Sequence, residues 1–96
     1  MEKTFFAVKL IPPRPDFPMT MTDEEKAIMG AHAAYWKQHQ DAGLVQVYGP
    51  VFDPKGPYGF GILAAESEDE VKAFIKDDPS LAFNTVEFYP MMAIFK

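Results

Sequence analysis

His32 and Asp53 are the two side chains in this sequence whose types and settings suit proton-transfer chemistry. An unperturbed imidazole titrates near pH ~6.5, so a histidine exchanges protons readily at neutral pH. A carboxylate bonded to one ring nitrogen would fix the tautomer and stabilise the charged form. Asp53 sits in the stretch Gly49-Pro50-Val51-Phe52-Asp53-Pro54-Lys55-Gly56-Pro57-Tyr58-Gly59. There, prolines restrict φ and glycines permit unusual backbone angles, an arrangement suited to holding one carboxylate in place. Paired with His32, Asp53 would form a general acid/base couple. Such a couple contributes on the order of 10² to 10⁴ in rate, enough for proton abstraction or elimination but not for hydrolysis of a stable bond unaided.

Other polar residues would orient a substrate rather than react with it. Arg14, the only arginine, lies in Pro12-Pro13-Arg14-Pro15 and either presents its fork of donors to an anionic group or pairs with a surface carboxylate. Tyr58 closes the Asp53 stretch and suits an anionic or phenolic substrate. Tyr35 and Trp36, beside His32, read as core and rim packing and are also candidate substrate contacts. His39, near a helix end, would complement the helix dipole. Ser67 and Ser80 read as cap or turn residues, without the glycine frame of a nucleophile elbow. No metal site is expected, because His32 and His39 stand seven apart and no HExxH spacing exists. No glycine-rich phosphate loop follows a strand, so no cofactor is expected either.

The elements that must position these groups follow from pattern. Thr4 to Ile11 reads as a strand ending at Pro12, and residues 12–19, interrupted by prolines, as an ordered loop. Thr22 with Glu25 forms a capping-box signature, so a long helix runs from there to Ala42 and stops at Gly43. Ile28, Ala31, Tyr35, His39 and Ala42 share one stripe of it, with His32 on the flank beside Met29 and Trp36. Leu44 to Tyr48 and Phe60 to Ala65 read as strands. Ser67 caps a second helix with Val71, Phe74 and Ile75 on its apolar stripe. Asp77-Asp78-Pro79 ends that helix, and Asp78 can cap a further short turn. Two acids at a helix C-terminus oppose its dipole, which implies another constraint on one of them. Thr85 to Phe95 reads as the last strand, with a bulge or an edge position at Pro90.

The order strand, helix, strand, strand, helix, strand fits an α+β fold, a ferredoxin-like βαββαβ sandwich with both helices on one face of the sheet. Apolar residues on both faces of the strands then imply a homodimer packed sheet against sheet. At 96 residues the chain is read as a single domain, residues 1–96. Its formal charge of −5 and lack of a basic run argue against nucleic acid or an anionic membrane as partner. No run reaches the ~18 apolar residues that span a bilayer, and no secretory leader is read at the N-terminus, so a cytoplasmic location is expected. With no cysteine, disulfides and thiolate chemistry are excluded.

Met29, His32, Tyr35-Trp36, Ala42-Gly43, Gly49-Pro50, Asp53-Pro54, Gly56, Gly59 and Asp78-Pro79, preceded by Arg14-Pro15, together resemble the YciI-like (YCII-related) family over nearly the whole chain. The resemblance implies a dimeric α/β-barrel-like assembly of ferredoxin-like halves and an active site of one histidine and one aspartate, here His32 and Asp53. A dehydrochlorinase of chlorinated-aromatic breakdown is similar to that family. The resemblance therefore implies lyase or isomerase chemistry on a small cyclic or aromatic-derived substrate. The alternative is a non-catalytic dimeric module that binds a small molecule or docks another protein.

Overall fold

A computed structural model of the chain describes residues 3–96. Four strands form one antiparallel sheet: β1 (Thr4–Ile11), β2 (Val45–Val51), β3 (Tyr58–Ala65) and β4 (Thr85–Met91), ordered β2-β3-β1-β4. The helices are α1 (Phe17–Thr20), α2 (Asp23–Asp41) and α3 (Glu68–Lys76), followed by a 3-10 turn at Pro79–Ala82. The fold is thus a small α+β domain. Strand β1 lies at its centre, with Val8 paired to Gly61 on one side and Phe88 on the other.

Alternation along β1 sorts its side chains. Phe6, Val8 and Leu10 are buried under the helices with Trp36, Val45, Leu63, Ala65, Val71 and Phe74. Phe5, Ala7, Lys9 and Ile11 point to the opposite face, where Val47 and Tyr89 are exposed. Beyond β4, Met92, Ile94 and Phe95 are also exposed, and the Phe95 ring rests 5.4 Å from that of Phe5.

Helix α2 starts as its sequence requires. Thr22 Oγ1 accepts from Glu25 N–H, and the Glu25 carboxylate accepts from Thr22 N–H. Past its C-terminus, Gly43 takes φ +95°, the left-handed region that favours glycine. Its buried side differs from the expected stripe: Ala31 and Ala42 are exposed, Trp36 is buried, and Met29, His32, Tyr35 and His39 are half-buried. The large indole gains far more from burial than alanine does, and it sets the rotation of the helix. It does so over Gly61, whose absent side chain leaves room for it. A Cβ there would stand 2.5 Å from the Trp36 ring. Gly61→Ala is therefore expected to cost about 1–3 kcal/mol by overpacking, read as a lower urea midpoint.

Three further boundaries depart from the sequence reading. Residues 17–20 of the proline-rich loop form a helical turn, because Pro18 falls in its first turn, where a missing N–H costs nothing. The loop between β2 and β3 shortens to residues 52–57, with Pro50 paired opposite Gly59, because β2 is an edge strand on which proline is tolerated. Strand β4 stops at Met91, and its Pro90 likewise occupies an edge.

Candidate functional site

His32 reaches the site from the middle of α2, and its partner comes from the other end of the chain. Its Nδ1 lies 2.9 Å from both carboxylate oxygens of Asp78. The same carboxylate accepts from Trp36 Nε1 at 2.6 Å and from Ser80 N at 2.9 Å. Ser80 Oγ stands 3.2 Å from His32 Nδ1. Asp78 is the N-cap of the 3-10 turn, so the local demand for a cap and the tertiary demand for an acceptor are met by one buried side chain. Burial pushes its carboxyl up, but the hydrogen bonds from His32, Trp36 and Ser80 outweigh burial and hold it below the ordinary carboxylate value.

An ionised Asp78 only accepts, so a neutral His32 carries its proton on Nδ1 and leaves the Nε2 lone pair free. No hydrogen bond to Nε2 is made among the described residues, and the ring lines a cavity of about 320 Å³. Met29, Ala33 and Trp36 of α2, Phe17 of α1, and Tyr48, Pro50, Tyr58 and Phe60 of the β2 and β3 strands complete most of its wall. Its volume suits a single small ring, and its wall is largely apolar. Besides the tyrosines and Trp36, whose N–H is spent on Asp78, His32 and Asn84 bring polar side chains to it.

The expected pairing of His32 with Asp53 is not formed. Asp53 Oδ1 accepts from Lys55 N at 2.9 Å and its carbonyl accepts from Gly56 N, the local turn that an aspartate before a Pro-X-Gly run makes with its own backbone. Asp53 lines a separate depression together with Lys9, Arg14, Lys55 and Tyr58. Trp36 and Tyr58 line the His32 cavity, Tyr58 being shared by both depressions.

Tyr35 lies elsewhere. Its hydroxyl donates to the Phe74 carbonyl at 2.7 Å and its ring stacks on Phe74, tying α2 to α3. Burial, with Asp77 and Asp78 nearby, pushes its phenol up to about 12, so it stays protonated. Arg14 also turns away from the cavity. It grips the Glu25 carboxylate with two nitrogens at 2.7 and 3.0 Å and donates to Thr20, bracing the proline loop against the start of α2. The Arg14 hydrogen bonds, helped by Thr22 N–H, lower the Glu25 carboxyl to about 2. A carboxyl depressed in this way stabilises the fold above its ordinary value and loses that contribution as pH falls towards the folded value. The urea midpoint is expected to fall on acidification from about pH 4.5 to 2, and to fall less in Glu25→Gln.

Sequence reasoning missed Asp78 as the partner of His32 and missed Asn84 altogether. The signal for Asp78 was the acidic pair closing α3, where charge opposes the helix dipole and another constraint is needed. Among the described residues no group of three or more acidic or histidine side chains is placed to hold a metal, and no helix is long and apolar enough to cross a membrane.

The model of the YCII-related domain matches residues 5–94. No curated protein matches the sequence. Among solved structures, the chain is similar to a 5-chloro-2-hydroxyhydroquinone dehydrochlorinase from Burkholderia phenoliruptrix, in complex with 2,5-dihydroxybenzoquinone. The two share 28% identity at a TM-score of 0.56, over 85% of this chain and 90% of that one.

Proposed function

This chain belongs to the YCII-related domain family, and we propose that it is a small cofactor-independent lyase or isomerase acting by acid–base chemistry on a hydroxylated aromatic or quinonoid metabolite. One observation carries this reading: a buried Asp78 holds His32 by Nδ1 while the ring borders an apolar cavity of ring size. The dehydrochlorinase, similar in sequence and fold, supports the substrate class.

In the proposed reaction His32 Nε2 takes a proton from the substrate. The electron pair left behind forms a new π bond, and in an elimination a halide departs with the electrons of its carbon bond. Asp78 stabilises the imidazolium so formed and keeps the ring in place, the orienting part that sequence reasoning gave to Asp53. In an isomerisation the same proton returns to a second carbon. Trp36 and Tyr58 form walls against which a planar ring packs.

Chloride release from a panel of chlorinated hydroxyhydroquinones tests the proposal. His32→Gln is expected to lower it by about 10²–10⁴-fold. Tight binding without turnover of any of them, unchanged in His32→Gln, would leave a non-catalytic binding module instead.

The strand order and the uncovered apolar face support a further part of the reading, that two ferredoxin-like chains pack sheet to sheet as a homodimer. Val47, Tyr89, Ile94 and Phe95 would be shielded there. Light scattering showing a monomer at micromolar concentration would contradict it.

A further inference from the structure

Asn84 follows the 3-10 turn that carries Asp78 and Ser80, so one short segment brings both the partner of His32 and a carboxamide to the same cavity. The residue is buried, yet its Oδ1 accepts no hydrogen bond from any described residue. The turn does not need this side chain, because the bond that closes it runs from Asn84 N to the Ser80 carbonyl at 2.9 Å. A buried carbonyl without a donor weakens a fold and is rare in native proteins. Its retention in a cavity wall points to a donor that arrives with the ligand.

We propose that Asn84 reads a second hydroxyl on the substrate ring: one ligand oxygen addresses His32 Nε2 and another bonds the Asn84 carboxamide. This rests on the function proposed above and narrows its substrate class to rings bearing at least two hydroxyl or oxo groups. The oxygen is buried in the wall of the cavity, and rotation about χ2 would turn it towards a ligand. The carboxamide thereby accepts from a phenol O–H or donates to a quinone carbonyl. An apolar wall makes such a contact selective, because a ring lacking the second group leaves Asn84 unpaired.

Calorimetric titration with catechol, resorcinol and hydroquinone beside their monomethyl ethers tests the assignment. The wild-type chain is expected to bind at least one diphenol about 3- to 10-fold more tightly than its ether, the worth of one neutral hydrogen bond. Asn84→Ala is expected to bind the two alike. A stability readout separates this from a packing role: Asn84→Leu removes an unpaired buried acceptor and is expected to raise Tm by a few degrees, whereas loss of a structural amide would lower it. The inference is overturned if the diphenol preference survives in Asn84→Ala, if it is absent from the wild type, or if Asn84→Leu is destabilised or fails to fold. Diphenols that bind and shift the His32 imidazole resonances without regard to Asn84 sink this assignment alone. Failure of every phenol to bind the wild type removes the proposed function with it.

Discussion

Asp78→Asn is expected to lower turnover by about 10²–10⁴-fold, as much as removing His32 itself. The carboxylate has two oxygens and takes three donors: Trp36 Nε1–H and Ser80 N–H, one on each oxygen, with His32 Nδ1–H reaching both. An amide has a single oxygen. Wherever it is placed, its NH₂ group confronts either the Trp36 or the Ser80 N–H, and no full negative charge remains to stabilise the imidazolium. Where the NH₂ group faces His32, Nδ1 must become the acceptor and the proton moves to Nε2, which then no longer works as a base. Nitrogen-15 shifts of the imidazole follow this directly: an Nδ1–H tautomer in the wild type, and a mixed or reversed one in Asp78→Asn. An unchanged tautomer with unchanged turnover would show that Asp78 is only a helix cap.

The same carboxylate predicts a pH dependence of stability. Its folded value lies below the ordinary 3.8. Its contribution is therefore fully present above that ordinary value and is lost as pH falls through the folded one. Asp78→Asn is expected to flatten that acid limb of the stability profile.

Trp36→Ala is expected to cost about 3–5 kcal/mol, the range for deleting a large aromatic side chain from a core. Trp36 is 2% exposed, touches Tyr48 and Phe74 through its ring, fits over Gly61 and forms part of the cavity wall. Trp36→Phe isolates the polar part of this effect. It keeps most of the packing but removes one of the three donors to Asp78, and is expected to cost about 1.5–3 kcal/mol, the range for a hydrogen bond to a charged group. Urea unfolding of both variants measures the two quantities. Wild-type stability in Trp36→Phe would mean that the buried carboxylate is satisfied without the indole.

The contrast between Asp53 and Asp78 shows how far sequence reasoning reaches in this chain. Both aspartates precede a proline, and both bond a backbone N–H two residues on, Lys55 N for Asp53 and Ser80 N for Asp78. In sequence they look alike. They differ in what the rest of the fold packs against them: Asp53 stays at the tip of a hairpin, while the turn begun by Asp78 is pressed against α2. Tyr35 teaches the same lesson within one helix, since the neighbour of Trp36 faces α3 and not the cavity.

Local stereochemistry and periodicity were enough to locate the strands, though not all their ends, the capped start of α2, the glycine that ends it and the turn at Asp78-Pro79. These depend on contacts between residues a few positions apart, and such contacts are written in the spacing itself. Which carboxylate meets His32, 46 positions away, and the placing of an unpaired Asn84 in the same cavity, depend on tertiary packing, in which the rotation of α2 is the one that buries Trp36 over Gly61. The rotation is set by the shape of the whole core, and no short stretch of sequence encodes that shape.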